Sequence, residues 1–218
     1  MTETDSPGPH SGAFAEPIPM GLLSLAIGCA ALVPVAFGVS LTPQGLRTAA
    51  MFCLFFGAGG QLLAGVLALA NRNLHGGTLF ATFAFNWMMN WWVLDQAARG
   101  TPPDHAVLTA VDVAFLVIFL AMTYGFGFFS RLLFLFLLDI DVIYAFRVAA
   151  AFAAPGVLAV PIALATAALA ALSLWIAFAI LLNPLAGRTI FPLGDPLYRP
   201  RRRPTPDNAG AKSHEVVH

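Results

Sequence analysis

Six apolar runs, each near the ~20 residues a helix needs to cross a hydrocarbon core, divide this chain. Runs of that length leave little room for a water-facing surface. Only 10% of the residues are charged and 59% are hydrophobic, whereas a soluble globular domain carries about 25% charged residues. The fold class is therefore an all-α integral membrane protein with six transmembrane helices. The period-2 alternation of an outer-membrane barrel is absent. Cys29 and Cys53 both fall inside apolar runs and read as small core residues, neither a disulfide framework nor a metal pair. No metal and no cofactor are expected.

Three segments follow in order. Residues 1–16 form a polar, Pro/Gly/Ser-rich tail without Lys or Arg. A secretory signal would need a basic start and a cleavage region, so this reads as a disordered cytoplasmic tail. Residues 17–194 hold the six spans, at about 17–41, 46–70, 77–95, 105–126, 128–151 and 156–182. Pro34 is expected to kink the middle of the first. In the second, Gly57, Gly59, Gly60, Ala64 and Ala68 give a small-residue face for close helix packing, with Gln61 as its one polar residue. Residues 195–218 form a Pro- and Arg-rich cytoplasmic tail, also read as disordered.

The third span, GTLFATFAFNWMMNWWVLD from Gly77 to Asp95, carries Thr78, Thr82, Asn86 and Asn90 at intervals of four. On a helix that spacing puts them on one slowly drifting face. An amide left unsatisfied in lipid costs several kcal/mol, so such a stripe either joins helices or lines a path. Pore lining is the sharper reading and helix glue the plainer one. Hydroxyl and amide groups suit a carboxylate that sheds part of its water, and equally urea, ammonia or a small alcohol. Trp91 and Trp92 read as an interfacial belt, and Trp87, deeper in the span, as a candidate gate.

Acids within spans need a partner or a task, because an Asp at a helix centre costs about 3 kcal/mol or more. Asp139 and Asp141 flank Ile140 in the fifth span, and Asp112 lies in the fourth. Each is a candidate protonatable site, since loss of water disfavours the charged carboxylate. The alternative for Asp139 and Asp141 is structural pairing with Arg147, Asn86 or Tyr144. For Asp112 it is an inter-helix hydrogen bond. The five His residues fall in tails or loops, with none placed to relay protons inside a span. No P-loop, H-E-x-x-H, G-x-S-x-G or CxxC occurs, so no enzyme is expected.

Basic residues set the orientation. Arg72, Arg131, Arg188, Arg199, Arg201, Arg202, Arg203 and Lys212 lie on the side of the termini; Arg47, Arg99 and at most Arg147 lie opposite. The positive-inside rule then puts both termini in the cytoplasm, for a multi-pass protein of the plasma (inner) membrane. The Arg199–Arg203 cluster suits contact with anionic lipid, and no module accompanies it that would bind nucleic acid.

Four segments carry a resemblance. Glu16 to Leu22 (EPIPMGL), with Glu16, Pro17, Pro19 and Gly21, resembles the NPxPLGL signature of the acetate uptake transporter family, the succinate–acetate permeases. Gly59 to Gly65 (GGQLLAG) resembles its GG-x-AQ-x-x-AG segment. Thr78 to Trp91 resembles its TF-x-x-TAF-x-SY-x-x-FW run, and Gly187 to Gly194 (GRTIFPLG) its GRT-x-LP-x-G. The matches occur in the family's order across nearly the whole membrane portion. The resemblance implies a homo-hexamer of six-helix protomers, each with its own central pore for acetate, succinate or similar carboxylates, proton-linked or channel-like. It also implies a constriction of three apolar or aromatic side chains, which fall by position on Leu25, Trp87 and Ile140. Such a girdle gates by dewetting.

The chain departs from that pattern at informative places. Glu16 stands where the family has Asn. Asn86, Met88, Met89 and Asn90 replace small or aromatic residues, and Ile140 is bracketed by Asp139 and Asp141 where the family is neutral. Two ionised carboxylates beside a constriction repel an anion. The expected activity is passive or proton-linked passage of a small carboxylate such as acetate or succinate through a narrow apolar gate. The alternatives are a channel of the same fold for a neutral or cationic solute (urea, ammonia/ammonium) and a non-transporting membrane scaffold.

Overall fold

The computed structural model describes residues 14–154 and 156–199. The readings on residues 1–13 and 200–218, including Arg201, Arg202, Arg203 and Lys212, lie outside the described residues. Six continuous helices follow one another: α1 (Ile18–Ala36), α2 (Pro43–Ala70), α3 (Leu74–Ala98), α4 (His105–Phe126), α5 (Arg131–Ala150) and α6 (Ala159–Ala186). No strand occurs among the described residues.

Local chemistry sets the helix ends. Thr42, Asn73, Asp104 and Ser130 each accept a hydrogen bond from the backbone N–H three residues on, capping α2, α3, α4 and α5. Pro34, expected to kink the middle of a span reaching residue 41, instead sits in the last turn of α1. The helix stops at Ala36 because Gly38 turns left-handed (φ 73°). The N–H groups of Gly38 and Val39 then close back on the carbonyls of Val35 and Pro34. Arg72 plays the part of Gly38 at the end of α2, at φ 62°, with Asn73 N–H bonded to Ala68 O. His75, read as a loop residue, lies in the first turn of α3, its ring against Phe126 and Phe129.

Within α2 the turn over Cys53–Gly60 is π-helical. This widening falls on the Gly57-Ala58-Gly59-Gly60 run and precedes Gln61, whose side chain is fully buried. π-Helical turns recur at functional sites. Here the turn brings its glycines close against α1 and α3. A Cβ on Gly60 would strike Ser24, and one on Gly57 the ring of Trp87.

The helices close into a ring. Backbones approach along α1–α2, α2–α3, α4–α5, α5–α6 and α6–α1. Between α3 and α4 the ring is joined by side chains, with Phe83 and Phe119 ring centres 4.7 Å apart. Small residues permit the closest crossings: Gly21 faces Phe80 and Ala64, and Gly65 faces the backbone of Ala81. After α6 the chain folds back over the start of α5. Arg131 and Leu132 donate backbone hydrogen bonds to the carbonyls of Asp195 and Leu193, and the Tyr198 ring covers Gly127.

α1, α2, α4 and α6 are long and apolar enough to cross a membrane. α3 and α5 fall short of that mark. α3 holds Asn86 and Asn90 among its apolar residues, and α5 holds Arg131, Asp139, Asp141 and Arg147. The two most polar helices are the ones that build the site.

Candidate functional site: a half-open cavity above Trp87

A cavity of about 160 Å³ lies between α1, α3, α5 and α6. A single water needs only about 10–15 Å³ of such space, so a small organic solute with some water fits. Its walls come from residues 29–36 of α1, 83–90 of α3, 140–147 of α5 and 162–169 of α6. These are the C-terminal halves of α1 and α5, the middle of α3 and the N-terminal half of α6. The cavity therefore sits at the end of the bundle away from Phe14 and Arg199.

The lining divides by polarity. Asn86, Asn90, Tyr144, Arg147 and Thr166 contribute the polar groups, and Leu32, Ile143, Ile162 and Leu169 the apolar wall. Trp87 and Ile140 also border the cavity, 3% and 1% exposed. On α5 the lining residues 140, 143, 144 and 147 follow helical spacing, so one face of α5 forms a wall. On α3, Asn86 and Asn90 do the same.

At the mouth Arg147 is fixed on two sides. Its Nε donates to Asp112 Oδ2 at 3.0 Å, and its Nη2 lies 2.9 Å from Asp112 Oδ1. Nη1 donates to Asn90 Oδ1 at 3.4 Å. The guanidinium also lies 5.5 Å from the centre of the Tyr144 ring. Tyr144 in turn stacks on Phe115 and Phe119 at 5.5 and 5.4 Å. An aromatic column running across from Phe83 thus supports the one cation of the cavity wall.

The acids separate in their surroundings. Asp112 is the partner of Arg147, the inter-helix bond expected of it, and Arg147 borders the cavity. Asp141 accepts a 2.6 Å hydrogen bond from Thr123 Oγ1, tying α5 to α4, and not from Arg147, Asn86 or Tyr144. Its other oxygen, and Oδ2 of half-buried Asp139, are buried with no hydrogen-bond partner among the described residues. Neither acid borders the cavity, though both adjoin Ile140, which does.

The polar stripe of α3 divides as well. Asn86 and Asn90 face the cavity, and Asn86 Oδ1 is buried without a hydrogen-bond partner. Thr82 is half-buried and Thr78 exposed, and neither borders the cavity. A spacing of four drifts by about 40° per step, so the stripe leaves the cavity within two steps. Gln61 is fully buried with both amide atoms unpartnered among the described residues, deeper than the cavity floor. Leu25, 1% exposed, lies one helical turn before Cys29 of the cavity wall and is part of the packed core. Of the motif residues, Glu16 Oε1 accepts from Ile18 N–H at 3.2 Å, Pro17 caps α1, Pro19 is buried in its first turn, and Gly21 lets Phe80 approach. Arg147, Tyr144 and Thr166 are the polar cavity residues missing from the sequence reading of the lining. The helical spacing of 140, 144 and 147 was the signal for the first two.

The fold is that of a solved structure, the bacterial acetate channel SatP. The two align with a TM-score of 0.74 and 23% identity over 83% of this chain and 99% of that one. No family model and no curated protein sequence matches the chain. At this identity the likeness establishes the fold.

Proposed function

We propose that the chain is a six-span membrane channel of the acetate uptake transporter family, passing small carboxylates such as acetate. The observation that carries this reading is the cavity. A guanidinium and two amides surround its mouth, its wall is hydrocarbon, and it ends on Trp87 and Ile140. Acetate has the matching polarity: one charged end, and one methyl end that tolerates an apolar floor. Below that floor Leu25 completes a dry plug, which stays shut to hydrated ions until a solute displaces it.

The same reading places both termini in the cytoplasm of a plasma (inner) membrane, so the cavity faces outward, the side from which the solute enters. Thr82 and Gln61 lie further along the path, and Asp139 or Asp141 carries the accompanying proton. Exposed apolar residues such as Phe55 and Val117 meet lipid or neighbouring protomers of a hexamer. The acids beside Ile140 favour the second reading, a conduit for urea or ammonia/ammonium.

Flux into liposomes decides between them. The expected result is acetate uptake that grows as the external pH falls, measured against protein-free vesicles. Urea or methylammonium flux without acetate flux would establish the second reading, and absence of any flux would leave a scaffold.

A further inference from the structure

We infer that Arg147, held side-on by Asp112, makes the cavity select singly charged carboxylates over dicarboxylates. This rests on reading the chain as a carboxylate channel and goes on to name the substrate class.

A guanidinium has five N–H donors. Nε donates to Asp112 and one Nη1 hydrogen to Asn90, while Nη2 stands 2.9 Å from Asp112 Oδ1 as an ion pair without a hydrogen bond. Three N–H groups remain without a hydrogen-bond partner among the described residues, on a side chain that lines the cavity. They offer a place for one carboxylate. Asp112 leaves the pair without net charge, so the pull on an anion is short-ranged and suits a single negative charge. The Asp112 side chain is only 8% exposed, so water screens this arrangement little.

A bound monocarboxylate would turn its alkyl end toward Ile143, Ile140 and Trp87. A dicarboxylate would have to lower its second charge onto the same hydrocarbon. Discrimination thus combines one shared cation with a hydrocarbon floor that leaves the second charge of the wrong ligand without a partner.

The test compares acetate and succinate flux in liposomes holding the native protein, Asp112→Asn, and the double variant Arg147→Gln/Asp112→Asn. Asparagine keeps the shape and an acceptor for Nε but frees the full guanidinium charge. The succinate-to-acetate flux ratio should then rise about tenfold. The double variant keeps a neutral, hydrogen-bonding pair, and its acetate flux should fall at least about tenfold while its elution from size exclusion stays native. A native flux ratio in Asp112→Asn, or native acetate flux in the folded double variant, overturns the inference. If one variant does not fold, the other decides. Native protein without acetate flux would overturn the carboxylate reading itself, whereas native flux with unmoved ratios overturns this inference alone.

Discussion

The indole of Trp87 lies directly on Gly57, and its far edge on Gly28. A Cβ built on Gly57 would fall inside the contact distance of the ring, and one on Gly28 would stand 3.0 Å from it. One glycine comes from the π-helical turn of α2 and the other from α1. The ring that floors the cavity is therefore held in a slot cut by two glycines on different helices, which fixes its position without a hydrogen bond; its Nε1 has no partner among the described residues.

Filling that slot should move the ring. Gly57→Val is expected to destabilise by about 1–3 kcal/mol through overpacking, read as a lower melting temperature in detergent, and to raise solute leak. Trp87→Ala should raise leak more, because it removes the plug itself. A Trp87→Ala protein that assembles and leaks no more than native would identify the ring as packing only.

The bond from Thr123 to Asp141 gives a prediction about assembly. Thr123→Val keeps the volume but removes the one donor to a buried carboxylate among the described residues, and should cost about 1–3 kcal/mol. Thr123→Ser restores the hydroxyl and should recover most of that. Equal melting temperatures for the valine and serine variants would mean that the bond adds nothing.

Much of the architecture could be read from the chain, and for local reasons. The run at 105–126 forms α4 with the same bounds, since Asp104 caps its start and Gly127 follows its end. The first was drawn too long, because a proline in an apolar run marks a bend or a stop equally well. The π-helical turn left no trace in sequence: its glycines read as ordinary small residues of an α-helix. At the site, the spacing of Asn86 and Asn90 on one helix already marks them as neighbours, and Trp87 and Ile140, the positions that the family resemblance implies, also border the cavity. The Asp112–Arg147 pair is not marked in this way, because its members stand 35 residues apart on different helices, and only the crossing of α4 with α5 brings them together.

The divided stripe of α3 makes Asn86 and Thr78 a matched test. Asn86→Leu removes an unpartnered amide from the cavity wall and should lower acetate flux at least about tenfold without loss of folding. Thr78→Val alters an exposed position and should leave stability within about 0.5 kcal/mol and flux near native. If Thr78→Val blocks flux as strongly as Asn86→Leu, the path runs along the whole stripe, and the cavity is only its wider end.

Asp139 and Asp141 differ in what holds them, so their Asn variants should differ in kind. Asp141 is tied to Thr123, and Asp141→Asn keeps an acceptor there; its main effect should be on stability. Asp139 Oδ2 is buried without a hydrogen-bond partner, beside a residue of the cavity floor. If Asp139 takes up a proton with the solute, lowering the external pH loads it and speeds uptake. Asp139→Asn mimics the loaded form at every pH, so the pH dependence should flatten while flux persists. The measurement is acetate influx at a series of external pH values, with protein-free vesicles subtracted for passage of the neutral acid through lipid. Native slopes in both variants would remove these carboxylates from the transport step and leave them as fastenings between helices.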